Sequence, residues 1–237
     1  MGTPDFAVPS LQALIDEGFD IKLVVTQPDR PSGRGQKVLP PPVKALAEKH
    51  GLKVYQPESL KIAESQGPIL STPCDFLVVV AFGQILPKVI LDHPKVAPLN
   101  IHGSLLPAYR GAAPIQRAVM EGEEATGVTV QWMIEALDQG DILVQRACKI
   151  SEEDTSASLH EKLKILGADA LSETLKLFQK NDIIRRSQDA RVGSYAPKLQ
   201  KKEGAIRFDQ SAFFVHRTIM GLNPWPTAEC VLSGKVM

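Results

Sequence analysis

Apolar positions in the first hundred residues fall into short runs separated by stretches with helical spacing. Ile21-Lys22-Leu23-Val24-Val25 and Asp75-Phe76-Leu77-Val78-Val79-Val80-Ala81 read as strands, and 43–50 between them reads as a helix. This alternation is the signature of βαβ units and a largely parallel sheet. The run 76–81 is apolar without alternation, as in a strand covered on both faces, so it is placed centrally. Further strands are expected at 96–101, 127–134 and 142–150, and a long helix at 156–179, capped at Asp154-Thr155-Ser156.

The two ends break this regularity. Gly2-Thr3-Pro4-Asp5-Phe6 reads as a strand-to-helix turn, with Pro9 in the first helical turn and Leu11, Leu14 and Ile15 as the buried stripe. No strand stands before it, whereas a doubly wound sheet begins with one near its middle. A gap in the sheet is therefore expected, with Met1 as an internal methionine of a longer natural chain or a mis-set start. After the long helix, residues 181–202 are polar, basic and weakly periodic. Beyond them, 204–208 reads as a short strand, 211–220 as a helix, and Asn223-Pro224-Trp225-Pro226 as a rigid turn. So short a stretch cannot bury its own core. The expected fold class is α/β: a Rossmann-like, doubly wound, mainly parallel sheet in residues 1–180, a basic linker in 181–200 and the beginning of a second domain in 201–237.

Composition adds mainly exclusions. The 237 residues are 43% hydrophobic, enough for a sizeable core. Cys74, Cys148 and Cys230 are far apart and form no C-x-x-C pair, which argues against a disulfide framework and a zinc site. No apolar run approaches the roughly 18 residues of a membrane span, and no leader pattern opens the chain, so a cytoplasmic protein is expected. The 27 basic and 27 acidic residues balance, but not locally. Arg185, Arg186, Arg191, Lys198, Lys201 and Lys202 stand against Asp189 alone, and Arg30, Arg34, Lys37 and Lys44 against Asp29. Two such segments fit a polyanion-binding face or simply solvated loops.

Asn100 and His102 lie two apart at the end of an apolar run, so both leave the same face of a strand where α/β sheets place their sites. Asp138 stands in the turn Leu137-Asp138-Gln139-Gly140-Asp141, whose glycine permits a reversal that returns a carboxylate over the strand ends. On spacing alone, the three fit caps and turn residues as well as catalytic groups.

The surrounding sequence carries more information. Asn100-Ile101-His102-Gly103-Ser104-Leu105-Leu106-Pro107, then Tyr109-Arg110-Gly111-Ala112-Ala113-Pro114-Ile115-Gln116, then the Asp138 turn resemble the folate-dependent formyltransferase superfamily. Gly2-Thr3-Pro4-Asp5-Phe6-Ala7, Gln27-Pro28-Asp29-Arg30-Pro31, Tyr195-Ala196-Pro197-Lys198-Leu199 and Asn223-Pro224-Trp225-Pro226 resemble the branch of that family acting on methionyl-tRNA. The resemblance covers essentially the whole chain. It implies formyl transfer from 10-formyltetrahydrofolate to the amine of initiator methionyl-tRNA, with Asn100, His102 and Asp138 as the catalytic trio. Attack of the amine on the formyl carbon creates an oxyanion, for which an asparagine amide and an imidazolium are suitable donors; such donors are worth about 3 to 4 kcal/mol each. Asp138 pairs with His102 and relays the proton lost by the amine.

The resemblance further implies a folate pocket of Val80, Phe82, Gly83, Ile85 and Leu86, with Ser104, Leu105, Leu106, Pro107 and Asp141 opposite. Phe82 stands where the family usually has an aromatic hydroxyl, which removes one hydrogen bond; Ile85 and Leu86 fit core or pocket equally well. Arg34, Lys37, Arg110, Lys198 and Lys201 are expected to meet tRNA, and 201–237 to open an OB-like tRNA-binding domain. A monomer without metal is expected, since His50, His93, His160 and His216 show no ligand spacing. The alternatives are the same chemistry on a small or sugar amine, or an inactive truncated remnant.

Overall fold

In the computed structural model, which describes residues 1–32, 37–232 and 235–236, a 3-10 turn at Asp5–Ala7 leads into α1 (Val8–Asp16), with Pro9 in its first turn as expected. The chain continues through β1 (Val24–Val25), an antiparallel ribbon of β2 (Arg30–Ser32) and β3 (Lys37–Leu39), α2 (Pro42–Lys49), and β4 (Val54–Tyr55), which pairs parallel with β1. Then come α3 (Gly67–Leu70), β5 (Phe76–Val80), α4 (Lys88–Leu91) and β6 (Ala97–His102), the last running parallel to β5. β7 (Arg110–Gly111), α5 (Pro114–Met120), β8 (Ala125–Trp132), β9 (Ile142–Lys149) and the long α6 (Ser156–Gln179) follow. The C-terminal part holds β10 (Tyr195–Ala196), α7 (Ala212–Gly221) and an antiparallel pair, β11 (Val231–Leu232) with β12 (Lys235–Val236).

The central sheet has the order β5-β6-β8-β9, with β8 antiparallel to both its neighbours. The mainly parallel character expected holds for β1–β4 and β5–β6, whereas β8 and β9 join antiparallel, so the sheet is mixed. Residues 133–141 between β8 and β9 are too few for a parallel crossover, which takes a dozen or more. A hairpin-like return is what that length permits.

β5 is buried on both faces, and its side chains alternate between two cores. Phe76, Val78 and Val80 join the larger cluster with α1, α2, α5 and α6, whereas Leu77 and Val79 join Leu60, Ile69, Phe82, Leu86, Ile90 and Leu91 on the opposite face. That two-sided cover is the doubly wound arrangement expected from the unbroken apolar run. Among the described residues, no helix is long and apolar enough to cross a membrane.

β1 and β5 do not pair with each other; Met1 and Gly2 bridge them. The Gly2 amide donates to the Val25 carbonyl (3.0 Å), and the Val80 amide to the Met1 carbonyl (2.9 Å). The Met1 ammonium donates to the Val78 carbonyl (2.6 Å), and burial pushes its pKa from 8.0 down to about 5. Beside this bridge runs a groove of about 640 Å³ lined by Leu23, Val24, Phe76 and Val78, at the place where a gap was expected.

The C-terminal segment is fastened to the main body. α7 packs on α5, and the Ser156 hydroxyl donates to the Gly221 carbonyl. Glu203 pairs with Arg117 of α5 at 2.6 Å. The strand expected at 204–208 is instead a 3-10 turn at Lys201–Gly204, capped by Gln200 and Glu203, followed by a single bridge from Ala205 to Glu229. Phe208 remains exposed, so the run lacks the covered face a strand requires.

Thr155 caps α6 by accepting from the Ser158 amide (3.1 Å), and buried Asp154 organises the turn before it. Burial would raise the Asp154 carboxyl, but Lys162, the Ser151 amide and the Ser158 and Ser151 hydroxyls hold it well below the usual carboxylate range. A carboxyl depressed on folding stabilises fully above its unfolded pKa of about 4 and loses that contribution as the pH falls below it. Asp154→Asn is expected to cost about 2 kcal/mol at pH 7 in urea denaturation, with the deficit shrinking as the pH drops below about 4.

Candidate active site

β5 and β6 end side by side, with Val80 opposite Ile101, so the turn after Val80 and the His102 imidazole share the carboxyl edge of the sheet. Asn100 and His102 leave the same face of β6, as their spacing implied. His102 is buried, and its Nε2 lies 2.8 Å from the Tyr109 carbonyl. A carbonyl only accepts, so Nε2 carries hydrogen and Nδ1 is the nitrogen outside that bond. Nδ1 faces Asp138 Oδ1 at 3.6 Å, longer than a hydrogen bond, and is thus the nitrogen left to meet a reacting group.

Asp138 reaches this place because the chain doubles back after β8. Its φ is +52°, and Gly140 presses so closely on the Trp132 carbonyl that a Cβ there would overlap it. Asp138 Oδ2 accepts from the Gly111 amide (2.8 Å) and Oδ1 from Gln131 Nε2 (3.0 Å). Gln188 clasps the turn from outside: its Nε2 donates to the carbonyls of Asp138 (2.9 Å) and Gly140 (2.7 Å).

The formyl transferase family pattern matches residues 1–175, and that of the formyl transferase C-terminal domain matches 198–237. The chain belongs to the formyl transferase family. It is 48% identical to the methionyl-tRNA formyltransferase of Geotalea uraniireducens, over 100% of this chain and 76% of that one. With the methionyl-tRNA formyltransferase of Moorella thermoacetica it shares 49% identity, over 99% of this chain and 76% of that one. Among solved structures, a sugar 3N-formyl transferase with dTDP and 5-N-formyl-THF superimposes at TM-score 0.75 and 20% identity, covering 98% of this chain and 81% of that one. The N-formyltransferase of Helicobacter canadensis with folinic acid and dTDP-3-aminofucose gives 0.76 and 19%, covering 98% and 82%. At that identity the structures establish the shared fold.

Within this formyl transferase, several expected site residues take other positions. Arg110, expected to face tRNA, donates from Nε (3.0 Å) and Nη2 (2.8 Å) to Gln188 Oε1 and so braces the Asp138 turn. Asp141, expected at folate, directs its carboxylate to Arg185 Nε (2.8 Å) and Ser187 Oγ (3.1 Å). The stretch expected as a free linker is folded against the site: Arg185 lies 4.0 Å over the Trp132 ring, the Tyr109 amide donates to Ser194 Oγ (2.8 Å), and β10 pairs with β7. Arg34 lies outside the described residues; Lys37 opens β3, and Lys198 and Lys201 are exposed.

The Ser104–Pro107 wall is fixed from beneath. Thr129 Oγ1 donates to the Ser104 carbonyl (2.7 Å) and accepts from the Leu106 amide (3.0 Å) and Gln145 Nε2 (3.0 Å). Leu105 and Pro107 are half-exposed, whereas Ser104 and Leu106 are buried. On the other side, the Val80, Phe82 and Leu86 side chains lie in the two cores, with Phe82 also bordering the neighbouring cleft. The polar group at Phe82 is its carbonyl, which accepts from Thr3 Oγ1 and Gln27 Nε2, both at 3.1 Å. Gly83 and Ile85, the latter 73% exposed, border an open cleft of about 900 Å³ with Thr3, Gln27, Arg30 and Pro41. Away from the site, Asp5, His160 and Glu161 bring three ligand atoms together, but the Lys164 ammonium bridges both carboxylates at 3.3 and 2.5 Å.

The sequence reading passes over Thr129, Gln131, Gln145 and Gln188. For the first two a signal exists: polar side chains two apart in the otherwise apolar 128–132 run share one face. Gln188 has no local signal. Thr129→Val would leave the Ser104 carbonyl and the Leu106 amide short of a partner. It is expected to destabilise the protein by about 2 kcal/mol in urea denaturation.

Proposed function

We propose that this protein transfers the formyl group of 10-formyltetrahydrofolate to the α-amine of initiator methionyl-tRNA. The observation that carries this reading is His102 Nδ1 turned toward Asp138 at the carboxyl edge of the sheet, with Asn100 two residues before His102 on the same strand. The acceptor follows that of the relatives.

In this reading the donor's formyl group sits between the Ser104–Pro107 wall and the exposed Gly83–Ile85 loop. The amine nitrogen attacks the formyl carbon, and the carbonyl oxygen takes up the electron pair. The Asn100 amide and the His102 Nδ1 hydrogen meet that oxyanion. Asp138 accepts the proton the amine loses, and as the bond between the formyl carbon and the folate nitrogen breaks, that proton passes to the departing nitrogen. The products are the formylated amine and tetrahydrofolate. No metal takes part in these steps.

Residues 1–180 supply the chemistry in this reading, and 201–237 begin an OB-like domain on the tRNA side. Arg34, Lys37, Lys198 and Lys201 meet phosphates; exposure of Lys198 and Lys201 beside the segment that clasps the site supports their part in this. Arg110 is assigned to the Asp138 turn.

His102→Ala is expected to lower single-turnover formyl transfer to initiator methionyl-tRNA by about 10²- to 10⁴-fold with little change in folate affinity. A near-normal rate would remove His102 from the mechanism. Replacing both Lys198 and Lys201 with alanine is expected to weaken tRNA binding and flatten its log–log salt dependence by about 2, leaving folate binding unchanged. An unaltered salt slope would place tRNA on another face.

A further inference from the structure

Gln131 is the buried polar side chain that packing does not explain. It lies on β8 opposite Asn100 of β6 and is 2% exposed. Its Nε2 donates to Asp138 Oδ1 at 3.0 Å, while its Oε1 is buried without a hydrogen-bond partner among the described residues. The reversed amide would set Oε1 against a carboxylate oxygen, so the Asp138 contact fixes which end points where. A methionine or leucine would fill similar space without stranding an acceptor. What the amide alone provides is the bond to Asp138.

That bond falls on the oxygen that matters. Asp138 Oδ2 is held by the Gly111 amide, and a carboxylate fixed at one oxygen can still rotate about that contact. The Gln131 donor fixes the second oxygen, the one 3.6 Å from His102 Nδ1. It occupies one Oδ1 lone pair and leaves the other directed at His102. We propose that Gln131 is a positioning residue for formyl transfer, holding Asp138 Oδ1 in register with His102 so that the pair can take the amine proton. This rests on the assignment of Asp138 as the proton acceptor.

The test compares the full chain with Gln131→Met, Gln131→Leu, Asp138→Asn and the Gln131→Met/Asp138→Asn double variant. Measured quantities are single-turnover transfer, KM for both substrates, and Tm. Both Gln131 variants should lose roughly tenfold in rate, a part of the about 10²- to 10⁴-fold that a positioned acid–base group supplies. Both KM values should hold, and Tm should not fall because a stranded acceptor has been removed. In the Asp138→Asn background, Gln131→Met should cost nothing further, because its effect passes through that carboxylate. Gln131 variants at full rate beside an inactive Asp138→Asn would overturn the positioning role; so would a rate loss accompanied by a lower Tm and raised KM values. An Asp138→Asn enzyme at near-normal rate would instead overturn the assignment of Asp138 itself.

Discussion

Both oxygens of the Asp138 carboxylate and the backbone of its turn are held by donors from three separate parts of the chain: the Gly111 amide, the Gln131 side chain and the Gln188 side chain. An aspartate on a turn with positive φ has no intrinsic reason to stay over a strand end. It stays because those donors over-determine it. The other features of the site relate to this one, since the hairpin between β8 and β9 brings Asp138 to His102, and Gly140 lets that return run close against Trp132.

The rigid support beneath is apolar. β5 and β6 are covered on both faces, α6 lies along β8 and β9, and the carboxyl edge inherits that stiffness. Toward its end β8 departs from the apolar rule at Thr129 and Gln131, which touch the Ser104–Pro107 wall and the Asp138 carboxylate. Interior polar groups tie the site's loops to the sheet and are costly when unpaired, so one such contact is a hydrogen bond and a constraint together. The unpaired Gln131 Oε1 is the point where that arrangement is least satisfied.

Much of the frame was legible because it depends on periodicity. The helix Ser156–Gln179 is where its pattern set it, and the unbroken run at 76–81 correctly implied a strand covered on both faces. Strand direction was not legible: an apolar run at 142–150 reads alike in either sense, and only the short link before it argues for antiparallel pairing. Within the candidate site, the shared face of Asn100 and His102 was readable from a two-residue interval at a strand end, whereas the partners of Arg110 and Asp141 were not, because a charge says nothing about what it pairs with. The strand expected at 204–208 failed for lack of a surface to cover it. No local pattern marks Gln188 or Ser194, because their partners lie 48 to 85 positions back along the chain.

That separation has a consequence in time. The segment carrying Gln188 and Ser194 follows α6, so during synthesis the sheet, Asn100, His102 and the Asp138 turn all emerge before the residues that clasp them. A half-made polypeptide thus carries the Asp138 turn without the donors that clasp it, and those contacts form only once the returning segment docks and β10 pairs with β7.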